Sequence, residues 1–197
     1  MDCSSTRREL VGSAMAAAVG ASGLLGADLA EAAAAPRSDA GVLWRTLKIE
    51  RLVVIAYREV LSSGTLSPAN THKVQAILGQ ELQHVAIVER ALKKLGGTPP
   101  PAPRDLPAAQ RALASHHVTA SLTDLHTQTQ CLRLLVDTET LAEDAYFVAI
   151  EKLMDPALLR LCAQIMGCEA QHWTVLSSAR HGDIKITVPY PFVGGPT

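Results

Sequence analysis

The sequence predicts an all-α protein, a four-helix bundle built from two antiparallel helical hairpins joined by a long crossover. Three observations predict it. Apolar residues recur at helical spacing from Val42 to Arg180, interrupted by short Ser, Gly and Pro punctuation. Aromatics make up only 4% of the chain and alanine is abundant, which favours packed helices over a β-sandwich. The halves of that region also repeat one another, as a duplicated hairpin would.

The expected helices follow in order. The first runs from Val42 to Leu61 and is closed by Ser62-Ser63-Gly64. Ser67-Pro68 opens the second, with proline in its first turn, and Gly96-Gly97 stops it after Leu95. Pro99 to Pro103 cannot continue a helix. From Arg104 to Val118 the chain reads as a crossover carrying one short helix, Pro107 to Ser115. The third long helix is expected from Leu122 to Met154, and Asp155-Pro156 opens the fourth, which lasts to Arg180. Short connections at 62–67 and at 155 make antiparallel hairpins, while the long connection after Gly97 travels the length of the bundle.

With 197 residues, 48% hydrophobic, one globular core is expected. The formal net charge is -1, and no run of Lys and Arg points to nucleic acid or an anionic membrane. The bundle occupies residues 42–180, preceded by a leader at 1–35 and a polar linker at 36–41, and followed by a Pro- and Gly-rich extended tail at 181–197. The leader pairs Arg7-Arg8 with an apolar, small-residue run from Val11 to Ala27, then Ala30-Glu31-Ala32. That order describes a signal peptide, and the paired arginines look like a twin-arginine signal. An uncleaved membrane anchor is the alternative, although Gly, Ser and Ala make the run a weak spanning segment. The twin-arginine resemblance implies export of a folded protein, often with its cofactor already inserted.

Four cysteines occur, Cys3, Cys131, Cys162 and Cys168, with no CxxC pair. Cys162 and Cys168 lie roughly 9 Å apart along one helix, beyond disulfide reach, so free buried thiols are expected.

The chemistry lies in the repeat. The first helix carries Glu50, with Ala56-Tyr57 at six and seven residues further on; the third carries Glu139, then Ala145-Tyr146. The second helix holds Glu81-Leu82-Gln83-His84 and the fourth Glu169-Ala170-Gln171-His172. Glu50 to Glu81 is 31 residues (81 minus 50), and Glu139 to Glu169 is 30 (169 minus 139). In each Glu-x-x-His the two side chains project from one helix face on adjacent turns and can reach one metal. Four carboxylates and two imidazoles supply about −4 in charge, enough to neutralise two divalent cations, and without metal such a set inside an apolar bundle is costly. Oxygen and imidazole donors suit iron or manganese, and the absence of thiolates argues against a structural zinc site.

One Glu from each of two helices plus a Glu-x-x-His from each of the others resembles the ligand pattern of ferritin-like di-iron and di-manganese proteins. The match covers residues 42 to 180 at all six positions, Glu50, Glu81, His84, Glu139, Glu169 and His172. The chain looks especially like exported bacterial ferritin-like domain proteins with twin-arginine signals. The resemblance implies that Glu81 and Glu169 bridge two iron or manganese ions, that Glu50 and Glu139 are terminal, and that His84 and His172 cap one ion each.

Other residues are weighed beside these. Glu143, four after Glu139, is a seventh ligand or a solvated helix charge; its counterpart is Val54. Tyr57 and Tyr146, two turns beyond their glutamates, donate hydrogen bonds to ligands or simply pack in the core. His116, His117 and His126 read as surface or packing residues, and Asp124 and Asp137 match no ligand position.

The leading expectation is an exported di-metal oxidoreductase acting on peroxide, O₂ or Fe(II), with no further catalytic residue beyond the ligands. A non-catalytic structural or stress-protective bundle is the alternative. Iron storage in a shell is disfavoured, because the Pro-rich segment after Arg180 offers no fifth helix for a cage contact. Lacking a rubredoxin-like cysteine module, the chain needs an external electron donor, and homo-oligomerisation is compatible with the sequence.

Overall fold

The computed structural model describes residues 38–183 and Thr187, and the leader therefore lies outside the described residues. Among the described residues five helices follow in order: α1 (Asp39–Ser63), α2 (Pro68–Lys94), α3 (Leu106–Ser115), α4 (Gln128–Lys152) and α5 (Pro156–His181). Among the described residues there is no strand, and no helix is long and apolar enough to cross a membrane.

Each helix starts on a side-chain oxygen. Ser38, Ser67, Asp105, Thr127 and Asp155 sit in extended backbone, and each accepts a hydrogen bond from an amide in the first turn. Proline occupies the opening turn of α2, α3 and α5, where its missing N–H costs nothing. Gly64 and Gly182 end α1 and α5 with φ of 66° and 70°, left-handed backbone that glycine adopts without strain.

The helices assemble as predicted into an all-α bundle of two hairpins, α1–α2 and α4–α5. These join closely along α1 and α4, whereas α2 and α5 meet at few points, and α3 lies against α1. The crossover is fastened on its way. Arg51 donates to the Pro100 carbonyl and pairs with Glu89 at 3.0 Å.

Two helix starts differ from expectation. α1 begins at Asp39 rather than Val42, taking in part of the expected linker, and Asp39 earns its place structurally. Its carboxylate accepts from the Met154 and Asp155 amides at 2.8 and 2.9 Å, which satisfies the α4–α5 turn. α4 begins at Gln128, not Leu122. Val118, Leu122 and Leu125 are buried at near-helical spacing, yet Ser121 Oγ accepts from the Thr123 and Asp124 amides, and Gln130 Oε1 from the His126 amide. Those side chains offer the backbone a turn in place of a helix. In the tail, the Thr187 amide donates to the Asp183 carbonyl at 2.9 Å, and most of the segment expected to be extended lies outside the described residues.

The apolar core divides into two. One part gathers Val60, Val74, Leu113, Leu132, Leu135 and Leu176 near the α1–α2 turn. The other gathers Leu43, Leu47, Val88, Leu92, Ala149 and Leu153 at the opposite end. Between them lies a layer of charged side chains.

Candidate metal centre

That layer consists of the six residues picked out by the repeat. Glu50 comes from α1, Glu81 and His84 from α2, Glu139 from α4, and Glu169 and His172 from α5. The four glutamates are 0% exposed, and the two histidines 7% and 3%. Ionisable side chains are almost never buried to this degree without a partner.

Their atoms form two overlapping groups. In one, Glu50, Glu81, His84 and Glu169 each offer an atom, all within 4.8 Å of one another; in the other, Glu81, Glu139, Glu169 and His172 do the same. Glu81 and Glu169 belong to both. His84 Nδ1 lies 2.9 Å from Glu169 Oε1, and His172 Nδ1 lies 2.7 Å from Glu81 Oε1. The two imidazoles stack with centroids 5.8 Å apart.

Proximity here is not hydrogen bonding. Glu50 Oε2, both oxygens of Glu81, His84 Nδ1, Glu139 Oε2 and Glu169 Oε1 are buried with no hydrogen-bond partner. The short His84–Glu169 and His172–Glu81 distances are therefore close approaches without bond alignment, whereas His172 Nδ1 and Glu169 Oε2, at 3.1 Å, do meet as a hydrogen-bonded pair. Each orphaned atom would cost on the order of 1–3 kcal/mol if nothing else bound it. Lone pairs that converge without bonding one another are what a cation needs, so the residues could hold metal ions, and oxygen and imidazole donors suit hard or borderline divalent ones.

Electrostatics agree with the geometry. Burial, with the charges of Glu169 and Glu81, holds Glu50 well above the ordinary carboxylate range, and burial likewise raises Glu139. Burial opposes charge on the imidazoles, but Glu169 and Glu81 outweigh it and push His84 up to about 11. Glu139, Glu169 and Glu81 push His172 up to about 12 in the same way. Glu169 resists burial because His172 and His84 hold it down at about 2.

Both tyrosines are fully buried and hydrogen-bonded to glutamates, but not to those on their own helices. Tyr57 of α1 donates to Glu139 Oε1 of α4, and Tyr146 of α4 donates to Glu50 Oε1 of α1. Seven residues of helix rise about 10 Å, too far for a same-helix bond, so each hydroxyl reaches the antiparallel neighbour at its own level. One oxygen of each outer glutamate is thereby tied, and the other, Oε2, is left free to face the cluster.

The remaining candidates stand apart. Glu143 is half-buried and belongs to neither group; burial, Asp144 and Glu169 raise its carboxyl. His116, His117 and His126 are exposed, and His126 pairs with Asp124 at 3.2 Å. Asp137 faces Arg133 at 3.8 Å. Cys131 and Cys162 are buried free thiols as expected, and burial together with Glu50 pushes Cys162 up to about 12. Cys168 is free but only half-buried, because it sits at the edge of the cluster rather than in the apolar core.

Two residues at that edge escaped the sequence reading. Gln80 Oε1 lies 2.6 Å from His172 Nε2, and Cys168 Sγ lies 3.4 Å from the same nitrogen. The signal was present in the sequence, since each stands four residues before a cluster histidine, one helical turn away.

Neither curated proteins nor solved structures yielded a match to the chain. A family model described as a ferritin-like domain matches residues 38–181, a span that holds all five helices and the whole cluster. The chain belongs to the ferritin-like domain family.

Proposed function

We propose that this bundle is an exported di-metal carboxylate protein, holding two iron or manganese ions and acting as an oxidoreductase on peroxide, O₂ or Fe(II). The observation that carries the reading is the pair of overlapping donor groups sharing Glu81 and Glu169, with six buried donor atoms left unpartnered. Glu81 and Glu169 would bridge, Glu50 and Glu139 would hold one ion each from the outside, and His84 and His172 would complete the two positions. A pair of adjacent reducible ions supplies two electrons together, which suits O₂ and peroxide reduction.

The chain's own residues would set the conditions. Tyr57 and Tyr146 orient the outer carboxylates through one oxygen each. Apolar layers on both sides exclude water and lower the dielectric around the layer. Electrons must arrive from another molecule. Export rests on Arg7-Arg8 and the apolar run after them.

The test is metal per chain after purification without chelators or after anaerobic Fe(II) loading. About two ions per chain are expected by analogy with such carboxylate pairs, with loss in Glu81→Ala and Glu169→Ala. Undiminished metal in both variants sinks the ligand assignment. Export is tested by fusing residues 1–35 to a reporter and replacing Arg7-Arg8 with lysines, which should strand the reporter inside the cell.

A second reading, a non-catalytic bundle stabilised by its ions, is favoured by the closure of the site, in which the four glutamates are 0% exposed. Peroxide or oxygen consumption by the metal-loaded chain separates the two.

A further inference from the structure

The two halves of the centre are nearly equivalent in sequence, yet one contact breaks the equivalence. Aligning Glu81 with Glu169 and His84 with His172 aligns Gln80 with Cys168. Each stands one residue before its glutamate and four before its histidine. Gln80 is long enough to cross from α2 to α5, where its Oε1 meets His172 Nε2 at 2.6 Å. Cys168, two bonds shorter, stays on its own helix. Its thiol lies 3.4 Å from His172 Nε2 and donates to Gln80 Oε1 at 3.6 Å. Both symmetry-related positions therefore converge on His172. Among the described residues, no hydrogen bond of that kind serves His84, whose Nδ1 is itself unpartnered.

The chemistry of this contact is directional. His172 turns Nδ1 towards Glu81, Glu139 and Glu169. An imidazole that gives Nδ1 to a metal must carry its proton on Nε2, and that N–H needs an acceptor. The amide oxygen of Gln80 is one. Fixing tautomer and ring plane through the outer nitrogen raises ligand basicity, and loss of such a partner costs about 10–100-fold in metal affinity.

We propose that Gln80 is a positioning residue that makes the two metal positions unequal, the His172 position binding more tightly than the His84 position. The inference rests on the di-metal reading above. It assigns the asymmetry to one substitution between the repeats: Gln80 can reach across the gap between α2 and α5, and Cys168 cannot. The edge of the cluster that bears this contact lies where those helices meet at few points, so an exposed residue can act on a buried ligand.

The experiment is calorimetric titration of the metal-free full chain with Mn(II), comparing wild type, Gln80→Ala and Gln80→Glu, with helicity checked by circular dichroism. Wild type is expected to show two binding classes at least about tenfold apart. In Gln80→Ala the tighter class should weaken by about 10-fold or more towards the other, which stays unchanged. Gln80→Glu keeps an acceptor oxygen in place and should restore the separation, a rescue that simple loss of packing would not give. Two equal classes in wild type overturn the proposal, as does a Gln80→Ala variant that binds like wild type or loses both classes equally. Those results leave the metal reading standing; a folded wild type that binds no Mn(II) or Fe(II) refutes both together.

Discussion

Replacing Tyr57 with Phe isolates one hydroxyl whose worth should depend on whether the centre is loaded. Tyr57 is 0% exposed and donates to Glu139 Oε1, itself sealed in the bundle. Without metal, burial holds Glu139 well above the usual carboxylate range and so favours its neutral form. The bond is then between neutral groups and contributes about 1 kcal/mol. For a chain of this size that corresponds to a fall of about 2–4 °C in the unfolding temperature of the metal-free protein. As a ligand, Glu139 is ionised, and a hydrogen bond to a charged group contributes about 1.5–3 kcal/mol. The difference, about 0.5–2 kcal/mol, should appear as metal binding weakened by about 2- to 30-fold. Calorimetric titration with Mn(II) measures the second quantity and thermal unfolding of the metal-free protein the first. Tyr146→Phe, acting on Glu50 from the other hairpin, should show the same pattern. A folded Tyr57→Phe protein that binds metal as tightly as wild type, or that loses more in the metal-free state than in the loaded one, refutes the argument.

Loading the centre should release protons. His84 at about 11 and His172 at about 12 hold protons at pH 7, burial favours the protonated forms of Glu50 and Glu139, and any proton so held must leave when metal binds. The folded-state values lie above the ordinary ones, so acid favours the metal-free form and apparent affinity rises with pH. Weakly buffered titration should register up to about four protons per pair of divalent ions, an exchange that leaves the site's charge unchanged; absence of release at pH 7 contradicts the burial argument. Leu135→Ala, at a fully buried position on α4, should lower stability to denaturant by about 2–5 kcal/mol. Gly97→Ala should cost about 1–3 kcal/mol while leaving metal content unchanged. Its Cβ would meet Leu92 Cδ1 at 2.3 Å and the Leu92 carbonyl at 3.2 Å, and Leu92, 1% exposed, has no room to swing away. Equal denaturation midpoints for either variant and wild type would show that its site relaxes freely.

How much of this was legible in the chain depended on which interactions are local. The Glu-x-x-His pairs could be read because two side chains one turn apart share a helix face whatever the tertiary structure. The antiparallel pairing was readable from short connections, and the α1 stop from Ser62-Ser63-Gly64. The start of α4 was not. Leu122 and Leu125 carry the helical period because they are buried, while Ser121 and Gln130 take the backbone amides that a helix would have used. The partners of Tyr57 and Tyr146 were also hidden, since they depend on the level at which α1 and α4 cross. The reach of Gln80 depends likewise on the gap between α2 and α5.

A polar layer that cuts an apolar core in two is a liability for a bundle of this size unless something binds it together. The layer sits midway along all four long helices, so neither half of the core can close without burying it. Moving it to the surface would break the hairpins' shared packing along α1 and α4. Hydrogen bonds relieve part of the cost: the two tyrosines satisfy one oxygen each of Glu139 and Glu50, and His172 one of Glu169. What they leave unsatisfied is concentrated on the inward-facing atoms of Glu50, Glu81, His84, Glu139 and Glu169. A structural role for these charges would satisfy the inner atoms first, because those are the hardest for water to reach. At Glu50 and Glu139 the pattern runs the other way, with Oε1 tied to a tyrosine and Oε2 free. Both oxygens of Glu81, Glu169 Oε1 and His84 Nδ1 are free as well, the arrangement expected of side chains held in readiness for cations.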